Sequence, residues 1–245
     1  MGASAIDTGM PNYQIYTITQ NAQYRNHFHN VLCLSEAKGM DIKMYNANDI
    51  IIENLILPYT KIKINIELKR GINYIKGNNG TGKTLLLDYI SGIRKDTVAT
   101  ISGNQSIIYI NQSIFFSDRL TCEDFLKFVY RMVEIKNPLS IFNDFIDNIF
   151  QDRWDKRKIA SLMKKQWGML SGGERKYIYI LILMLIEREW YILDEPFAFL
   201  DDEKREIIWY LINIKTAQGK GIILTSHGNE IENIPSDANI IDLGQ

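Results

Sequence analysis

The octapeptide Gly77-Asn78-Asn79-Gly80-Thr81-Gly82-Lys83-Thr84 constrains this chain more than any other segment. It follows an apolar strand, Gly71 to Ile75, and opens a helical pattern from Thr84 to Ile93. It fits the phosphate-loop pattern G-x-x-x-x-G-K-[ST]. Glycines let backbone N–H groups turn inward and approach phosphate oxygens closely. The helix N-terminus adds a favourable dipole. Lys83 is placed to reach the β- and γ-phosphates of a nucleotide, and the Thr84 hydroxyl to bind Mg²⁺. A plain Gly/Asn turn is the alternative, but it does not explain a lysine and a threonine between a strand and a helix.

Further apolar strands are expected at Ile50 to Leu57, Lys61 to Leu68, Val98 to Ser102, Ile107 to Ile110, Trp190 to Leu193 and Gly221 to Thr225. Helical spacing marks Glu123 to Lys165 and the run from Ser171 through Ile186. Strands alternating with helices imply an α/β fold with a mainly parallel sheet covered on both faces. The stretch Ser113 to Met169 lacks strand signals and reads as an inserted helical subdomain. Residues 1–49 form an N-terminal extension, in which Tyr13 to Thr19 alternates like a strand and Ala47-Asn48-Asp49 looks like a turn. Residues 1–9 read as a leader, with Met10 as the native start.

Two more segments carry chemistry. Trp190-Tyr191-Ile192-Leu193-Asp194-Glu195 is an apolar strand ending in two acids. Strand alternation sends neighbouring side chains in different directions, so the acids take different jobs. Asp194 is placed to hold Mg²⁺, and Glu195 to orient or deprotonate an attacking water. Upstream lies Leu170-Ser171-Gly172-Gly173-Glu174. Ser171 and Glu174 form a capping box. The glycines do not fit that purpose, since each costs a helix about 0.8–1 kcal/mol relative to Ala. Close approach by an anion would explain them. One nucleotide is already cradled by the first loop, so this second site is expected to serve a nucleotide held by another copy of the chain.

Bulk properties exclude several classes. The chain has 245 residues, 46% hydrophobic and 23% charged, with a formal net charge of -1. That balance gives no electrostatic reason to expect nucleic acid or anionic lipid as a partner. The longest apolar run, Tyr177 to Ile186, is about half the ~20 residues a membrane-spanning helix needs. Cys33 and Cys122 are far apart and read as reduced thiols. His27, His29 and Cys33 lack a fourth ligand at zinc spacing.

Together these segments resemble the ATP-binding cassette (ABC) ATPases, from about Ile50 to the C-terminus. Gly77 to Thr84 is similar to the family's Walker A, Tyr191 to Glu195 to its Walker B with the catalytic glutamate, and Leu170 to Glu174 to its signature motif. Tyr59 resembles the aromatic that stacks on adenine, Gln112 the glutamine linking Mg²⁺ to the helical subdomain, and Leu200-Asp201 the D-loop. His227, after Ser226, resembles the histidine that contacts the γ-phosphate. The resemblance implies ATP and Mg²⁺ as cofactors, with nucleotide contacts from Gly77 through Leu85. It implies catalytic roles for Glu195, His227 and Lys83, and metal contacts from Thr84, Gln112 and Asp194. It also implies a head-to-tail dimer with a second copy or a related cassette, each ATP meeting Ser171 to Glu174 of the other subunit.

The resemblance implies a P-loop NTPase core with a small antiparallel β-region. Departures are a D-loop reading Ala198-Phe199-Leu200-Asp201, Tyr177 in place of a basic residue, and a shortened segment between Lys83 and Gln112 that trims this β-region. The expected function is the ATPase subunit of a transporter, held at the cytoplasmic face of the membrane by separate permease subunits. Arg153, Lys156, Arg157 and Lys158 are candidates for a partner-facing or a solvated surface. The alternative is a soluble cassette ATPase acting on a protein or nucleic-acid assembly. A kinase or GTPase leaves Leu170 to Glu174 unexplained.

Overall fold

Four short runs, Gly71–Lys76 (β3), Ile107–Ile110 (β5), Trp190–Leu193 (β6) and Gly221–Thr225 (β7), supply the interior of the molecule. Every residue of β5, β6 and β7 is buried. Unbroken apolar runs of this kind belong to parallel strands covered on both faces. A computed structural model of the chain describes residues 49–58, 60–96, 98–112, 115–150, 156–226 and 234–244. In it, β5, β6, β7, β3 and β8 (Asn239–Asp242) form one sheet in that spatial order, all parallel.

Alternate residues of each strand enter different cores. Ile107, Tyr109, Trp190, Ile192 and Ile223 face one side, where Leu86, Leu87 and Ile90 of the helix α1 (Lys83–Ile90) pack. A three-stranded antiparallel sheet closes that side, with β1 (Ile50–Ile56) between β2 (Lys63–Leu68) and β4 (Thr100–Ser102). Ile108, Ile110, Tyr191, Leu193, Ile222 and Leu224 face the other side. There they meet the helices α5 (Gly172–Met184) and α6 (Asp202–Ala217).

Among the described residues, three α-helices lie between β5 and α5: α2 (Cys122–Met132), α3 (Pro138–Phe150) and α4 (Lys156–Lys164). Thr121 caps α2 with a full capping box to Asp124. The chain re-enters beside its own start. Trp167 N–H donates to Leu120 O at 2.7 Å, and Thr121 bridges Gln166. The Phe125 ring lies tilted against Trp167 at 5.0 Å and Tyr179 at 6.0 Å, which ties these helices to α5.

Some elements differ from expectation. The helix after the phosphate loop ends at Ile90, not Ile93. The strand expected from Val98 starts at Thr100, because Asp96 accepts the N–H groups of Val98 and Ala99 in a local turn. The helix α6 and the strand β8 were not expected. The α6 signal was present: Asp201 accepts the Lys204 N–H as a cap, and buried Ile207, Ile208, Leu211 and Ile212 recur at helical spacing. The readings at Tyr13 to Thr19, Ala47-Asn48, His27, His29, Cys33, Tyr59, Arg153 and His227 lie outside the described residues.

Candidate active site

Parallel strands deliver their C-terminal ends to one edge of the sheet, where open α/β folds bind ligands. In register, Ile75 pairs with Thr225, and Leu224 and Ile110 each pair with Leu193. The residues just beyond these ends are therefore neighbours: the glycine loop after β3, Asp194 and Glu195 after β6, Ser226 after β7, and Gln112 after β5.

The glycine loop is closed by its own lysine. Lys83 Nζ donates to Gly77 O at 2.7 Å and to Asn78 O at 3.2 Å, and the residue is buried. Thr81 Oγ1 donates to Asn78 O at 2.9 Å. Gly82 caps α1 at φ 97°, and a Cβ there would meet Leu57 at 2.9 Å. Leu86 N–H donates to Gly82 O, so the first turn of α1, including Leu85, grows directly out of the loop. Asn79 and Gly80 are exposed at its tip.

The Thr84 hydroxyl donates to Asp194 Oδ2 at 2.9 Å. This bond joins two residues 110 positions apart that the sequence assigned separately to one metal ion. Thr225 Oγ1 donates to Asp194 Oδ1 at 2.5 Å. Tyr109 also approaches Asp194 at 3.5 Å; burial first, then the Asp194 charge, push its phenol far above the ordinary range, so it stays protonated. Gln112 Nε2 donates to Glu195 Oε2 at 2.7 Å.

The two acids diverge, as expected, but strand alternation is not the cause. The strand β6 ends at Leu193, and Glu195 sits in the left-handed region at φ 52°. The bend after the strand therefore sets the directions. Such a conformation is uncommon for a non-glycine residue and gathers at functional sites.

The capping box at Ser171 is fully formed. Ser171 Oγ accepts from Glu174 N–H at 3.1 Å, and Glu174 Oε2 accepts from Ser171 N–H at 2.8 Å. That backbone bond holds the Glu174 carboxyl below its usual range. The two glycines have separate reasons. A Cβ on Gly173 would lie 2.4 Å from Phe199 O, so packing inside the chain accounts for it without an anion. Gly172 has nothing within 4 Å of that position and is exposed. Phe199 itself is at φ 64° and 85% exposed.

Three residues missed by sequence reasoning belong to this edge: Thr225, Tyr109 and Lys176. Each left a signal: Tyr109 places a hydroxyl inside a buried apolar run, and Thr225 and Lys176 each stand at the end of one. Two members of the basic run are ion-paired, Lys156 with Asp147 at 2.9 Å and Lys158 with Glu203 at 2.7 Å, which favours the solvated-face reading. Burial pushes the Cys122 thiol up to about 12, so it is not a reactive nucleophile.

Both the sequence and the fold have relatives among known proteins. The family model described as ABC transporter matches residues 62–198. The zinc import ATP-binding protein ZnuC of Wolbachia sp. subsp. Brugia malayi is 30% identical over 76% of each chain. The cytochrome c biogenesis ATP-binding export protein CcmA of Reclinomonas americana is 29% identical over 74% of this chain and 80% of its own. An ABC-transporter ATP-binding protein from Pyrococcus furiosus has the same fold, with a TM-score of 0.64 at 22% identity over 80% of this chain and 98% of that one. The glycine loop, joined through Thr84 to the Asp194 carboxylate, sits within a sequence match that covers more than half the chain, and the chain belongs to the ABC transporter family.

Proposed function

We propose that this chain is the ATP-hydrolysing subunit of a transporter, and that it works as a head-to-tail dimer with a second copy or a related cassette. The 2.9 Å bond between Thr84 and Asp194 carries the reading. It brings a phosphate loop and a carboxylate to a single point. The hydroxyl and the carboxylate are hard oxygen donors, the kind Mg²⁺ prefers, so the residues fit that ion. Thr84, Asp194 and Gln112 would hold that ion, and its charge would offset that of the phosphates.

The chain's own residues do the rest. Backbone N–H groups from Gly77 to Leu85 and the Lys83 ammonium hold the phosphates. Glu195 accepts hydrogen bonds from the attacking water, and Gln112, 2.7 Å from it, orients the carboxylate. Tyr59 stacks on the adenine and His227 meets the γ-phosphate. Ser171, Gly172, Gly173 and Glu174 complete the site of the other subunit. The exposure of Ser171 and the open space around Gly172 support that role. ATP binding favours the closed dimer and hydrolysis the open one, a population shift by differential affinity.

No helix among the described residues is long and apolar enough to cross a membrane. The relatives are named import and export ATP-binding proteins. Separate membrane subunits are therefore the expected partners, with residues 50–245 as the ATPase unit and the helical segment 113–169 as its docking part. The test is hydrolysis of Mg-ATP by Glu195→Gln. ATP binding should persist while turnover falls roughly 10²–10⁴-fold, the size of a general-base contribution. Turnover near wild type would remove Glu195 from the mechanism.

A further inference from the structure

The peptide unit between Asp194 and Glu195 is held at both of its polar ends. Its carbonyl oxygen accepts from Lys176 Nζ at 3.1 Å. Its N–H donates to Thr225 Oγ1 at 3.0 Å. Peptide units are rigid planes, so fixing both ends of this one fixes the rotation that begins Glu195. Glu195 needs such help, because its left-handed conformation persists only where the surroundings over-determine it.

The two grips come from different elements. Thr225 belongs to β7, beside β6 in the sheet. Lys176 belongs to α5, five positions beyond the Ser171 cap. Residues 176–184 of α5 are all buried, and Lys176 is the charged one among them. An ammonium is expensive to remove from water, so its place in this buried run calls for a reason. Burial pushes its pKa down to about 8, while the nearby Asp194 and Glu195 charges oppose that fall.

We infer that Lys176 is a positioning residue, which transmits the placement of the helix capped by Ser171 to the orientation of Glu195 by holding the Asp194 carbonyl. The inference rests on the proposed catalytic role of Glu195. It gives the two sites of a dimer a path inside each chain. A nucleotide held by one copy bears on the N-terminus of α5 in the other. Lys176 then carries any displacement of that helix to the second copy's own glutamate. A shift of about 1 Å in a reacting group is enough to change turnover about 100-fold.

Lys176→Met tests this in the full-length protein, because it keeps the length of the side chain and removes the donor. Three quantities are read: turnover of Mg-ATP, the dissociation constant for ATP, and the thermal midpoint. Turnover should fall about 10- to 100-fold, with ATP affinity changed by less than about threefold and the fold retained. Turnover within about threefold of wild type overturns the inference, as does a loss of affinity that matches the loss of turnover. A variant that does not fold overturns it too, since Lys176 would then be a strut of the core. Absence of hydrolysis in the wild-type protein refutes the proposed function itself and is read independently.

Discussion

The carbonyl oxygen of Phe199 occupies the space that a side chain on Gly173 would need. A Cβ there would sit 2.4 Å from that oxygen, well inside contact distance. The obstruction is backbone, so relief requires moving the 198–201 turn or the first turn of α5. Gly173→Ala should therefore lower stability by about 1–3 kcal/mol, the usual cost of overpacking. Gly172→Ala meets nothing within 4 Å and should raise stability by up to about 1 kcal/mol through helix propensity. If Gly172 approaches the other subunit's nucleotide, that second variant still loses turnover. Thermal melts and hydrolysis rates on the pair separate the two roles. Equal melting shifts in both variants would refute the assignment of Gly173 to internal packing.

Thr84 and Asp194 make a second prediction. Replacing Thr84 with Val keeps the volume and removes the hydroxyl that Asp194 accepts. Asp194 remains held by Thr225. The Mg²⁺ concentration for half-maximal hydrolysis should rise at least about 10-fold, since losing an oxygen proposed to hold the ion costs no less than losing a partner of such a group. A magnesium titration at saturating ATP measures this. An unchanged midpoint would remove Thr84 from the proposed metal site.

Stability should also respond to pH through Lys176. Its folded pKa is depressed to about 8 by burial, against about 10.4 in an unfolded chain. Between those values the unfolded state keeps a proton that the native state has released. Stability linked to this group is therefore lowest below pH 8 and rises as the pH climbs toward 10. Relative to Lys176→Met, the wild-type protein should gain up to about 3 kcal/mol across that window, at 1.36 kcal/mol per pKa unit. Urea unfolding of both proteins at pH 7 and pH 10 gives the difference. Parallel pH profiles would show that the lysine does not titrate there.

Phe199 gives a prediction in the opposite direction. It is 85% exposed and left-handed at φ 64°. Asparagine tolerates that conformation, whereas a bulky residue costs about 1–2 kcal/mol. Phe199→Asn should stabilise the isolated chain by up to about 1 kcal/mol. A fall in the melting temperature would mean that the aromatic ring contributes more to the fold than its exposure suggests.

The α/β class, the glycine loop between a strand and a helix, and the two acids at a strand end were legible in the sequence alone. Each is written in local pattern: glycine spacing, apolar runs and the residues that end them. The signal for α6 is local too, in the acidic start and helical spacing from Asp201 to Ile212. Which groups meet depends on long-range packing. Thr84 reaches Asp194 because β3 and β6 both pair with β7, and pairing between distant strands is invisible in a local window. The directions of Asp194 and Glu195 follow from a bend that Lys176 and Thr225 pin from separate elements. The glycine pair divided in the same way. Helix propensity marked both as costly, but the Phe199 carbonyl, 26 residues away in sequence, explains why Gly173 is needed and leaves Gly172 free for another purpose.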